Sequence, residues 1–122
     1  MSSYKDLEIY TLGLELFYKA HFASLKLPKH EMYELGSQLR RSADSVPTNI
    51  VEGYGRKRYK VDFIKFPTYS YASCLKAVFH IQKITTLYPT IIENEQEFIN
   101  QYNELSAKIY NFTKYVEQNW KT

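Results

Sequence analysis

Phe98, Tyr102, Leu105, Ile109, Phe112 and Val116 succeed one another by alternating steps of four and three residues, a spacing that admits one kind of element. Such steps keep side chains on one face of a helix with 3.6 residues per turn, whereas a half-buried strand needs steps of two. Weaker forms of the pattern recur upstream. Leu7, Tyr10, Leu14 and Phe17 mark a first helix ending near Leu25, closed at Leu27-Pro28 because the residue before a proline avoids the α region. Leu35, Leu39, Ala43, Val46 and Ile50 stripe a second, with Glu31 and Glu34 in its first turns, Pro47 as an expected kink, and Gly53 and Gly55 as its stop. A third is expected from about Tyr59 to Leu87, with Phe63, Phe66, Ser70, Ser73, Ala77 and Ile81 along its seam. Pro67 marks either a second kink or a later start. Ser3 with Asp6, and Thr90 with Glu93, read as capping boxes for the first and fourth helices.

Four long helices joined by short connections give antiparallel neighbours. The expected fold class is therefore all-α, an up-down antiparallel four-helix bundle, as one domain over residues 1–122. With 4 Gly and 4 Pro in 122 residues the chain has few turn-formers, which agrees with long regular elements. The 12 Tyr are more than such a bundle can bury with their hydroxyls satisfied, so some are expected at the surface or in a subunit interface.

Little in the sequence points to catalysis. Cys74 is the one cysteine, so no intrachain disulfide forms, and its small and apolar neighbours suit a buried, inert thiol. His21, His30 and His80 lack the spacing of helical metal ligands, and no phosphate-binding glycine loop or nucleophile elbow occurs. The expectation is a non-enzymatic protein without metal or cofactor. The first residues lack the basic start and apolar run of a signal peptide, and no segment is apolar enough to span a bilayer. A cytoplasmic protein without membrane contact follows as the expectation.

The formal net charge of +3 is small, but the excess is local: Arg56, Lys57, Arg58 and Lys60 follow Gly53 with no acid among them. Tyr54 and Tyr59 flank these cations and can stack on unpaired bases, while Gly53 and Gly55 permit close backbone approach. This segment reads either as a single-stranded RNA contact, which Arg40 could extend, or as a solvated loop. Just upstream, Gln38, Arg41, Ser45, Asn49 and Glu52 share one helical stripe with Ser42. That stripe reads as a structural polar network fixing helix register or a subunit contact, with ligand contact as the alternative. Within it Asn49 and Glu52 are expected to satisfy one another.

The segment EMYELGSQLRRSADSVPTNIVEGYGRK is similar to the signature of the small bacterial four-helix-bundle proteins encoded in intervening sequences of large-subunit ribosomal RNA genes. The matching residues are Gln38 to Arg41, Ser45, and Asn49 to Gly53, followed by the basic loop. Tyr4-Lys5-Asp6-Leu7 and Ala72-Ser73 extend the resemblance. Lys76, where the family commonly has Glu, and Pro67 depart from it. The resemblance implies a closed ring, pentameric in family members, with a basic channel or face. A related accessory protein of diversity-generating retroelements binds RNA and its reverse transcriptase. The combined expectation is a non-enzymatic homo-oligomer, a pentamer, that binds RNA. The alternative is an interaction scaffold whose ring recruits another protein, the basic loop being merely solvated.

Overall fold

The computed structural model describes residues 3–121. After a short 3-10 turn, Tyr4–Asp6, come α1 (Glu8–Ser24), the single-turn α2 (Lys29–Met32), α3 (Leu35–Gly55), α4 (Lys60–Leu87) and α5 (Glu95–Asn119). Among the described residues every regular element is helical. The four long helices, α1, α3, α4 and α5, form the bundle. In it α3 packs against both α1 and α4, and α4 against α5, while α1 and α5 close the circuit. This order puts α1 and α4 on the diagonal.

The apolar periodicity marks the core along α3, α4 and α5, whereas α1 buries Ile9, Gly13, Leu16 and Ala20 and leaves the expected Tyr10, Leu14 and Phe17 half-buried. Leu39, Ala43, Val46 and Ile50 of α3, Ala77, Ile81 and Ile84 of α4, and Phe98, Tyr102, Leu105 and Ile109 of α5 are all buried in one cluster. Burying one large side chain of this kind is worth about 1.5–3 kcal/mol, so facing stripes along four helices supply the main driving force. Polar ties fix how the helices sit. Lys108 of α5 reaches Glu8 of α1 at 2.8 Å, and Lys19 of α1 donates to Gln101 of α5 at 2.7 Å. The Tyr88 hydroxyl donates to Glu31 at 2.9 Å, pinning the α2 turn to the end of α4.

The helix boundaries depart from the sequence reading in four places. Glu31 lies in the separate α2 turn and Glu34 stands just before α3, because Leu27 is buried and draws the connection across the bundle end. The Ser3–Asp6 capping box forms, but it caps the 3-10 turn one step ahead of α1. No box forms at Thr90 and Glu93. Ile92 is buried there, and α5 begins only after Asn94, whose φ of 51° places it in the left-handed region that Asn tolerates. Lastly, of the two glycines expected as its stop, α3 runs through Gly53 and ends at Gly55.

Both interior prolines lie inside uninterrupted helices and both are buried. Each removes one backbone N–H from the helical ladder. At the α3–α4 contact between them, the buried Ser70 hydroxyl donates to the Val46 carbonyl at 2.8 Å. Pro67 also faces Gly53. A Cβ on Gly53 would stand 2.8 Å from Pro67 Cδ and 3.2 Å from Phe66 Cβ. The glycine is there because α3 and α4 approach closely, not because the helix ends.

Candidate nucleic-acid interface

The cationic segment is the connection from α3 to α4. It is a tight turn in which the Arg56 N–H donates to Gly53 O, Lys57 N–H to Tyr54 O, and Tyr59 N–H to Arg56 O, at 2.9–3.1 Å. With those amides engaged, a ligand would meet side chains and not a nest of free backbone donors.

The four cations fall into distinct environments. Arg56 is held by Glu52 at 2.6 Å and by Asp62 at 3.6 Å, and its guanidinium lies 4.9 Å from the Phe66 ring centroid. The hydrogen bond and charge of Glu52, with a smaller contribution from Asp62, hold its proton even more firmly than usual. Lys57 folds back over the Tyr54 ring at 4.0 Å and donates to its hydroxyl at 2.8 Å. Arg58 is exposed on the turn, 5.7 Å from the Tyr59 ring centroid, and Lys60 opens α4 half-exposed. The two carboxylates that meet Arg56 come from the flanking helices, so the fold tempers a run that is free of acids in the sequence.

The two tyrosines divide similarly. Tyr54 is half-buried against the core, edge-on to Tyr4 at 6.3 Å and covered by Lys57. Tyr59 is 58% exposed and is the ring available for stacking. Lys65, one turn along α4, adds a cation near Phe66 and the exposed Tyr69, at 5.6 and 6.0 Å from their centroids.

Trp120 holds the turn from below. Its indole N–H donates to the Lys57 carbonyl at 2.7 Å, and its ring meets Phe63 edge-on at 4.9 Å. The sequence carried a signal for this: Trp120 lies four residues beyond Val116 and continues the α5 seam by one step.

Arg40 does not extend this surface. Sixteen residues before Arg56 on the same helix, it lies about 24 Å away. It is half-buried, donating to Ser24 Oγ at 2.8 Å and to the Met32 carbonyl at 3.0 Å, and so ties α1, α2 and α3 together. Gly53 is likewise unavailable to a ligand, being packed on Pro67, while Gly55 has open space around it.

The polar stripe of α3 separates into four parts. Asn49 donates to Ser45 Oγ and to the Ser45 carbonyl, both at 2.9 Å, and Ser73 of α4 donates to Ser45 Oγ at 2.8 Å. Gln38 accepts from Lys83 of α4 at 2.8 Å. Glu52 takes no part in this network: its side chain is 47% exposed and turns to Arg56, one helical turn on, instead of Asn49. Arg41 is exposed and, among the described residues, has no ion-pair partner.

Cys74 is buried, and burial pushes its thiol up to about 12, so it stays protonated and unreactive at neutral pH. Among the described residues no group of His, Cys, Asp and Glu side chains is placed to hold a metal ion, and no helix is long and apolar enough to cross a membrane.

No curated protein matches the chain. Residues 5–111 match the sequence model of a family described as 23S rRNA-intervening sequence protein. That match covers most of the chain, including α3, the cationic turn and the α3–α4 contact. With its four-helix bundle and the Gln38–Gly53 signature, this chain belongs to the 23S rRNA-intervening sequence protein family.

Proposed function

We propose that this protein is a non-enzymatic, homo-oligomeric bundle that binds single-stranded RNA through the α3–α4 turn. The observation that carries this reading is the run of Lys57, Arg58 and Lys60 on a turn anchored by Trp120, with the exposed ring of Tyr59 beside Arg58 and Lys65 following one turn along α4. Cations neutralise phosphates and release counterions, while an exposed ring stacks on a splayed base whatever its identity. A duplex reader needs an element that enters a groove, and this short turn offers none.

Self-association draws support from two exposed apolar faces. On α1, Tyr18, Phe22 and Leu25 lie on one side of the helix, and on the diagonal helix α4, Leu75, Phe79 and Leu87 are exposed. Two different faces on opposite sides of one subunit suit head-to-tail contact, which closes into a ring when the rotation permits. A pentameric ring would repeat the cationic turn around its axis and add its weak contacts as avidity.

The same α4 face favours a second reading, a scaffold that recruits another protein. The absorbance of the purified protein at 260 nm relative to 280 nm separates the two. RNA binding gives a high ratio that falls in high salt and falls also in a variant with Lys57, Arg58 and Lys60 changed to Ser. A ratio typical of protein alone, before and after the change, favours the scaffold.

A further inference from the structure

A second polar surface lies between α3 and α4, far from the turn. It is an open groove of about 370 Å³ whose lining includes Gln38, Arg41, Ser45, Ser73, Lys76 and His80. Lys76 follows Lys60 by sixteen residues on α4, which places the groove about 24 Å along the bundle from the turn.

The lining is unusual in what it offers. Arg41 and Lys76 are both exposed and, among the described residues, neither has an ion-pair partner. Gln38 spends its carbonyl oxygen on Lys83 at 2.8 Å, which leaves the amide N–H groups as its free end. Ser45 Oγ already accepts from Asn49 and Ser73, so its own proton is left to donate. His80 stands at the same groove with its Nδ1 buried and without a partner among the described residues. No carboxylate lines the groove. Two cations and two neutral donors therefore line one concave surface that holds no carboxylate.

We infer that this groove is a binding site for a phosphate group, held by Arg41 and Lys76 and oriented by Gln38 and Ser45. A phosphate monoester has the charge to balance two cations and oxygens enough to receive all four donors, whereas a carboxylate has one charge and two oxygens. An RNA backbone phosphodiester also has one charge and two free oxygens, so RNA fills the site only with two successive phosphates. The Asn49–Ser45–Ser73 network then acquires a purpose beyond joining two helices: it aims the Ser45 hydroxyl into the groove. His80 reports on occupancy. Burial, together with the charges of Lys83 and Lys76, keeps its pKa below the ordinary range, so the ring is neutral at pH 7. A bound anion offsets the two lysines and raises that pKa.

The phosphate can belong to a small phosphate ester or to an RNA backbone, and one experiment distinguishes these sources. The ring-proton resonances of His80 are followed by NMR in the full-length protein while inorganic phosphate is added at constant ionic strength. The site predicts a saturable shift and an upward move of the His80 titration. Arg41→Gln should weaken phosphate binding about tenfold, the loss expected for one charge-assisted contact. Lys76→Glu, which sets a carboxylate in the same groove, should abolish it. Both positions are exposed, so the variants keep the fold. Changing Lys57, Arg58 and Lys60 to Ser should leave phosphate binding intact, which keeps this test independent of RNA binding at the turn. Single-stranded RNA is then added in a second arm. A His80 shift assigns the groove to backbone phosphate, and its absence after a positive phosphate titration assigns it to a small ester. A shift that stays linear in phosphate, or that survives Lys76→Glu, overturns the proposal.

Discussion

The backbone of Gly53 lies directly against the ring of Pro67, so that a Cβ on the glycine would come within 2.8 Å of the proline Cδ. Neither side of this contact can yield easily. Gly53 is inside a helix, and Pro67 is a rigid ring inside another. Gly53→Ala should therefore force the α3–α4 crossing apart and destabilise the fold by about 1–3 kcal/mol, the usual range for overpacking. Gly55→Ala is the matched control. It meets nothing within 4 Å and has no positive φ, so the gain in helix propensity should leave stability unchanged or slightly higher. Urea unfolding should show a loss in Gly53→Ala and none in Gly55→Ala if the close approach is the reason for Gly53.

The stripe on α3 makes a similar contrast. Asn49 is half-buried and bound to Ser45, whereas Glu52 is exposed and paired only with Arg56. Asn49→Ala should cost about 1 kcal/mol. Glu52→Ala should leave the melting temperature unchanged, because exposed i,i+4 pairs contribute little. A clear loss of stability in Glu52→Ala would show that the carboxylate has a structural partner in solution.

Tyr102 is fully buried and its hydroxyl has no partner among the described residues. A phenolic oxygen buried without a hydrogen bond costs free energy, so Tyr102→Phe should stabilise the bundle by about 1 kcal/mol. The same burial predicts loss of stability in base. Burial pushes the Cys74 thiol from 9.0 to about 12, and it raises Tyr102 above its ordinary 10.0 as well. Above pH 9 the unfolded chain loses these protons while the folded chain keeps them, so stability falls as pH rises. The urea midpoint should therefore drop between pH 8 and pH 11, and drop less in Tyr102→Phe. An unchanged midpoint would contradict the burial of both groups.

Phe79 and Phe22 test the assembly. Phe79→Glu or Phe22→Glu places a charge on an exposed face that the folded subunit does not use, so each should leave helical circular dichroism intact. In native mass spectrometry the unaltered protein should give one dominant oligomer, and either variant should shift it toward 14.5 kDa monomer. A monomer in the unaltered protein ends the ring reading.

The legible part of this molecule was its periodicity. The α5 seam, the α3 stripe and the proline-bounded ends depend on local spacing, and α3, α4 and α5 follow it. What spacing could not carry was pairing between helices. Gly53 looked like a helix stop because its reason for being glycine, Pro67, lies on the next helix. Arg40 looked like part of the basic patch because it is cationic, but its acceptors are Ser24 and Met32 at the opposite end of the bundle. Arg56 looked unopposed until the fold brought Asp62 of α4 beside Glu52 of α3. The anion groove was hidden for the same reason, since Arg41 and Lys76 meet only across the α3–α4 contact.

Fluorescence anisotropy of mixed-sequence single-stranded RNA, titrated at several salt concentrations, tests RNA binding by the α3–α4 turn most directly. Arg56 is paired with Glu52 and Asp62, so the test centres on Lys57, Arg58 and Lys60; at about one phosphate per cation, a subunit should contribute a slope of about −2 in log K against log salt. Changing those three residues to Ser should flatten the slope while the helical signal and the oligomer persist. Tyr59→Ala should lower affinity at an unchanged slope, because stacking releases few counterions. Tyr54→Ala should instead lower stability, its ring being packed on Tyr4 and Lys57. RNA binding that is absent near physiological salt, or that is indifferent to the threefold change, would contradict the assignment and leave the turn as a solvated connection.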